Sequence, residues 1–255
     1  MGWVYLSPHY DDAVLSCGGV IWEQVNIGET VVIWTIFSGN PPEGPLSDYA
    51  LEHHRRWGVA DSLISLRRSE DQAACAAVGA KPGYFDLPDC IYRRLPGGEA
   101  VINNREHLFS PVHPGETGLI SFITRMVEAK LHPADRLVCP LGVGGHVDHR
   151  MVRAAVEAID RPVWHYADFP YTILPEFQFR LEDWVSPGSQ RLHYQISEQG
   201  LAAWQAGVAR YSSQISTFWE NQDEMRTVIA GYAQTKPGST LWQLRSSRSG
   251  DEQEK

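Results

Sequence analysis

Cysteine is scarce in this 255-residue chain: there are four, Cys17, Cys75, Cys90 and Cys139, and no Cys-x-x-Cys spacing. That leaves no redox or metal-binding cysteine motif. Each cysteine sits among apolar neighbours, the setting of a small buried hydrophobe in a reducing compartment, so a cytoplasmic location is expected. Basic residues are in deficit, 22 Lys and Arg against 31 Asp and Glu, for a formal charge of −9. With no Lys/Arg cluster there is no phosphate-binding face, and nucleic acid is excluded as a partner. Long apolar runs are missing as well. The longest, such as TVVIWTIF (30–37), is strand-length and too short to cross a bilayer. No basic segment followed by a long apolar one opens the chain, so no signal peptide is expected.

What remains is ordinary for an enzyme-sized globular protein: 43% hydrophobic and 21% charged. No internal repeat or linker divides it. One domain over residues 1–240 is expected, with a flexible tail over 241–255 that ends in the frayed SSRSGDEQEK. WVYLSP (3–8) reads as a short buried strand and residues 11–28 as a helix closing at Gly28. TVVIWTIF, β-branched and aromatic, is the best strand signal, and SGNPPEGPLS (38–47) is loop. Residues 49–79 turn helical, with SEDQAACAAVGA starting on a Ser69 N-cap and ending at Gly79. GYFDL (83–87) is a strand candidate, and 88–116 is a long irregular excursion beside a site. Helix returns over 117–131, strand over DRLVCPLG (135–142), helix over 148–159, strand over PVWHYADF (162–169). SEQGLAAWQAGVARYSSQISTFW (197–219) is strongly helical. Strands alternating with helices predict βαβ units and a largely parallel sheet, whose ligands gather at the carboxyl ends of its strands.

Two such ends carry unusual residues. After WVYL comes SPHYDDA, with His9, Asp11 and Asp12. After RLVCP comes LGVGGHVDHR, with His146, Asp148 and His149, where Gly142, Gly144 and Gly145 let the backbone approach a ligand. Each cluster alone has a plain explanation as helix capping with exposed imidazoles. Together they fall where a parallel sheet would make them meet. Adjacent carboxylates are costly to bury without a positive partner. Histidines and one carboxylate on a divalent metal supply that charge and leave a position for water, the pattern of a catalytic site. Asp12 is then a ligand, and Asp11, beside the metal, takes the water's proton. His146 could polarise the carbonyl or protonate the leaving group, with Asp148 holding its tautomer and favouring its charged form.

At PHYDDA (8–13) and HVDH (146–149) the chain resembles the LmbE-like, or PIG-L, family of zinc-dependent N-deacetylases. That family carries an HPDDE-type motif after its first strand and a later HxDH motif. Arg67 and Glu70 meet a weaker family feature, Arg-x-x-Glu on a helix. The resemblance spans roughly residues 3–170. It implies a Rossmann-like α/β fold, mostly parallel with helices on both faces, and His9, Asp12 and His149 as zinc ligands. It further implies Asp11 as general base, His146 as oxyanion stabiliser or acid, and Asp148 as its partner. The reaction implied is removal of an N-acyl group, commonly acetyl, from a small amino-sugar or glycoconjugate substrate. Tyr10 and Ala13 replace the family's Pro and Glu; neither position is a ligand. Gly144 and Gly145 stand where some members carry a tyrosine donor, so any such donor must come from elsewhere.

Arg67, Tyr10, Tyr166 and Asp168 are further candidates for contact with substrate, Tyr171 also, each weighed against a structural role. His53 and His54 are expected at the surface, His193 away from the site, and Trp204, Trp219 and Trp242 in the core. The same ligand set accepts Fe(II), Co(II) or Mn(II). A non-haem Fe(II) oxygenase is the rival enzyme, but its triad usually sits on an all-β scaffold. A catalytically dead sugar-binding module would be expected to have lost the base or a ligand. Whether the chain forms a homo-oligomer is left open by its sequence.

Overall fold

The computed structural model describes residues 2–57 and 63–245. The first half contains β1 (Trp3–Ser7), α1 (Asp12–Asn26), β2 (Val31–Thr35), α2 (Asp48–Arg56), α3 (Leu63–Ala77), β3 (Lys81–Tyr84), α4 (Arg105–Leu108) and α5 (Thr117–Lys130). There follow β4 (Arg136–Pro140), α6 (Val147–Glu157), β5 (Val163–Tyr166), β6 (Gln190–His193), α7 (Glu198–Val208), α8 (Ser212–Phe218), α9 (Gln222–Ala233), α10 (Lys236–Ser239) and β7 (Thr240–Gln243).

Seven strands make one sheet in the order β3-β2-β1-β4-β5-β7-β6. The first five run parallel, and β7 is antiparallel to both β5 and β6. The apolar run of β1 is explained by burial on both faces. Trp3 and Tyr5 enter one core, with Ile21 of α1, Trp204 of α7 and Ile229 of α9, while Val4 and Leu6 enter a second, under Ile123 of α5 and Met151 of α6. The paired glycines of α1 have a packing reason: a Cβ on Gly18 would sit 2.5 Å from the Trp204 ring. Trp204, Trp219 and Trp242 are buried, as expected of core residues.

Sequence order reverses between the neighbours β1 and β4, so a crevice opens at their carboxyl ends. The two motifs follow those strands directly. The doubly wound parallel sheet agrees with the expected fold and leaves no all-β scaffold for the oxygenase reading.

Several local expectations need correction. Ser69 lies inside α3 rather than capping it, because the helix is already formed from Leu63. The stretch 197–219 is two helices, since Tyr211 takes a non-helical conformation (φ −80°, ψ 55°) between them. Residues 241–243, placed in the tail from sequence, belong to β7, where Leu241 and Trp242 are buried. Residues 246–255 of that tail, and 58–62 of the helical stretch, lie outside the described residues. No helix among the described residues is long and apolar enough to cross a membrane.

Candidate metal centre and its cleft

The loop after β1 is held by its own short side chains. Ser7 donates its hydroxyl to the His9 carbonyl (2.5 Å) and accepts from the Ala13 amide (3.0 Å). The His9 amide donates to Asp12 Oδ2 at 2.7 Å. These bonds turn His9 and Asp12 to the same side. His9 Nδ1 lies 3.1 Å from Asp12 Oδ2, and His149 Nε2 reaches within 3.3 Å of that same oxygen from the start of α6. His9 Nδ1 and His149 Nε2, from residues 140 positions apart in sequence, thus flank one oxygen of Asp12. His149 Nε2 is buried and has no hydrogen-bond partner. An orphaned ring nitrogen aimed at a carboxylate and a second imidazole fits a divalent cation. The three residues expected as ligands are therefore neighbours, and His9, His146 and His149 offer ring nitrogens within 4.8 Å of one another. His146 is close as well, its ring 5.0 Å from His9 and 5.2 Å from His149.

Asp168 completes the His149 side. Its Oδ1 accepts from His149 Nδ1 at 2.6 Å, and its Oδ2 accepts the amides of Gly142 (2.8 Å) and Val143 (2.9 Å). This fixes the tautomer that leaves Nε2 free for a metal. Asp168 was a substrate-contact candidate; at 1% exposure it lies behind His149 instead. Tyr166 and Tyr10 are corrected likewise. Both are 1% exposed, and their hydroxyls donate to the carbonyls of Leu6 and Ser38. They hold the strand ends and do not line the cleft.

Asp148 also has a different partner from the one expected. Its carboxylate accepts from Arg93 (2.6 Å) and from the Cys90 amide (3.1 Å), and it faces His9 Nε2 at 3.1 Å. Arg93 in turn donates to Glu116 at 2.5 Å. It is the Asp148 amide, not its carboxylate, that touches His146, donating to Nδ1 at 3.3 Å. With Nδ1 accepting, the His146 proton sits on Nε2 and faces the cleft.

The charges sort themselves accordingly. Burial would raise Asp12, but the His149 and His9 rings hold it well below the usual carboxylate range. Burial pushes Asp11 up, against Arg67, whose guanidinium donates to Asp11 Oδ1 at 3.3 Å. Burial and the charges of His9 and His149 push His146 down to about 3, so its imidazole is neutral. This removes the expected favouring of its charged form. His149 is opposed by burial but raised to about 9 by Asp12 and Asp168.

The centre lies in the floor of a cleft of about 450 Å³. Arg67 lines it, with Asp89 beside it (4.0 Å) and 3.8 Å from His9 Nε2. One wall is aromatic: Phe109, Tyr171 and Phe177 pack edge to face or tilted at 5.2–6.3 Å, and Tyr171 stands 5.8 Å from His149. Gly144 makes this possible, since at φ +83° it has no Cβ to strike the Tyr171 ring, 2.7 Å away. Glu52, His53 and Arg56 of α2, and Gln214, Thr217 and Phe218 of α8, line other parts. His53 thus borders the cleft, while His54 pairs with the Tyr92 hydroxyl (2.8 Å) and His193 with Thr240 (3.2 Å). Arg93, Glu116, Asp89 and the α8 residues carry no sequence signal of their own: nothing periodic or motif-like marks them. All four cysteines are buried and free, as expected.

A doubly wound sheet with two imidazoles and a carboxylate converging at its switch point, and a spare carboxylate alongside, has the layout of a metal-dependent hydrolase. The chain belongs to the PIG-L family, whose model, described as GlcNAc-PI de-N-acetylase, matches residues 4–159. A Niallia circulans protein named 2'-N-acetylparomamine deacetylase is 28% identical over 184 residues, 66% of this chain and 66% of its own length. A Streptomyces fradiae protein of the same name is 28% identical over 173 residues, covering 65% of this chain and 56% of its own. The match thus spans under two thirds of each of these relatives. Among solved structures, the zinc-inhibited form of teicoplanin deacetylase Orf2 has a TM-score of 0.80 at 27% identity, covering 98% of this chain and 100% of that one.

Proposed function

We propose that the protein is a zinc-dependent N-deacetylase, removing an acyl group, acetyl in the first instance, from an amino-sugar conjugate. The observation that carries this reading is the convergence of His9 Nδ1, Asp12 Oδ2 and the unpartnered His149 Nε2, with Asp11 alongside. His9, Asp12 and His149 would hold a divalent ion, which would supply a water nucleophilic near neutral pH and polarisation of an amide carbonyl.

The chain's own groups do the rest. Asp11 accepts the proton of the attacking water, and its raised proton affinity suits it to pass that proton to the leaving amine. Arg67 keeps Asp11 in place through its 3.3 Å hydrogen bond. His146, neutral and protonated at Nε2, donates to the carbonyl oxygen as it gains charge. Asp89 and Arg67, an acceptor and a donor side by side in the cleft, suit sugar hydroxyls. The names of the relatives, deacetylases of paromamine and teicoplanin compounds, support a sugar-bearing substrate.

Metal content by elemental analysis, with amine release from N-acetylglucosamine conjugates, tests this. About one zinc per chain is expected, lost in His149→Ala but kept in Asp11→Asn, with kcat of the latter down roughly 10²–10⁴-fold. Metal retained in His149→Ala, or full activity in Asp11→Asn, overturns the reading.

A further inference from the structure

The Arg-x-x-Glu feature of α3 has one member, Arg67, on the catalytic aspartate; its other member points elsewhere. Glu70 is 6% exposed and spends both carboxylate oxygens on the start of α8. Oε1 accepts from the Ser212 hydroxyl (2.6 Å) and the Ser213 amide (2.8 Å), and Oε2 from the Ser213 hydroxyl (2.6 Å). The neighbouring Asp71 meets the Tyr211 hydroxyl at 2.9 Å. Tyr211 breaks the helical path between α7 and α8. The grip of α3 on residues 211–213 fixes the start of α8 across that break.

That grip also holds a cleft residue. A carboxylate only accepts, so Ser213 must donate its single hydroxyl proton to Glu70. The Ser213 oxygen is then an acceptor, and it takes the Gln214 Nε2 proton at 3.0 Å. Gln214 lines the cleft with Thr217 and Phe218, and with one Nε2 proton committed to Ser213 its carbonyl oxygen and second N–H are left for other partners.

We propose that Glu70 is a positioning residue for substrate specificity. Through Ser213 it holds α8 and the Gln214 amide in place at the cleft, where that amide hydrogen-bonds a polar group of the substrate. The proposal rests on reading the cleft as the substrate pocket, and it concerns binding rather than the chemical step.

Two measurements test it, on the zinc-loaded enzyme: hydrogen exchange of residues 212–218, and kinetics with 4-nitrophenyl 2-acetamido-2-deoxy-β-glucoside, followed by amine release. Glu70→Ala should speed exchange over 212–218 about tenfold or more, leaving α6 unchanged. It should raise KM about tenfold, the worth of one neutral hydrogen bond, with kcat within about threefold and metal content unchanged. Gln214→Met should raise KM similarly without altering exchange. If Glu70→Ala fails to fold, the double variant Ser212→Ala, Ser213→Ala removes the same bonds from the other side and should behave alike. Unchanged exchange over 212–218 overturns the proposal, as does unchanged KM or a loss of kcat in step with lost metal. A wild type that releases no amine would count against the deacetylase reading alone, and the exchange comparison would still decide the role of Glu70.

Discussion

Asp168→Asn is the sharpest test of how the proposed metal centre is built. In the native protein one carboxylate oxygen takes the Gly142 and Val143 amides and the other takes His149 Nδ1 at 2.6 Å. The two amides need an acceptor, so the asparagine oxygen stays with them and its NH₂ turns to His149. A donor facing Nδ1 drives the imidazole proton to Nε2, the atom that must be bare to bind a metal. Buried volume and both backbone bonds survive, so folding should hold. Removing such a partner of a ligating histidine typically lowers metal affinity 10–100-fold, or about 1.4–2.7 kcal/mol. Competition against a fluorescent zinc chelator measures this directly, and Tm should move by only a few degrees. An affinity within twofold of wild type, with the fold intact, would refute the claim that Asp168 sets the tautomer.

Other consequences follow from the same geometry. In the metal-free protein His149 holds its proton up to about pH 9 and, against burial, the carboxylates around His9 raise that ring too, so a metal must displace protons; affinity should rise at least about tenfold per pH unit between pH 6 and 8. A pH-independent affinity by chelator competition would contradict this. Burial raises the Asp71 carboxyl to about 7, against hydrogen bonds from Tyr84 and Tyr211. The folded state then binds this proton more tightly than the unfolded chain. Stability falls as pH climbs from about 4 to 7 and levels off above, by up to about 4 kcal/mol. Asp71→Asn should therefore gain urea midpoint relative to wild type at pH 8 compared with pH 5; an unchanged difference would sink the argument. Gly144→Ala forces a Cβ toward Tyr171 at a positive φ, and should cost about 2 kcal/mol, or about 4–8 °C in Tm. An unaltered melting curve would show that the aromatic wall yields freely.

The parts of the site that could be read from sequence share a property: their signals are local. SPHYDDA and GGHVDH each place ligand-type residues within four positions, at the junction of an apolar strand and a helix. The parallel sheet then brings the two junctions together, as its strand-helix alternation implied. Asp168 was visible as an unusual residue after a strand, but its role was misread, because sequence does not say whether a side chain there faces the cleft or the back of a ligand. Tyr10 and Tyr166 were misread for the same reason. Asp148 was paired with its sequence neighbour His146, whereas its carboxylate found Arg93, 55 positions away.

The sequence by itself determined the alternation of elements and the two motifs with the three side chains proposed to hold a metal, because helix periodicity, strand burial and loop chemistry act over a few residues. Only the tertiary structure decided which groups stand around them. The Glu116–Arg93–Asp148 chain, the Asp168 bond to His149, the aromatic wall over Gly144 and the hold of Glu70 on α8 all join segments far apart in the chain. Buried charges must find a partner wherever the fold brings one within reach, and no local pattern records which partner that will be.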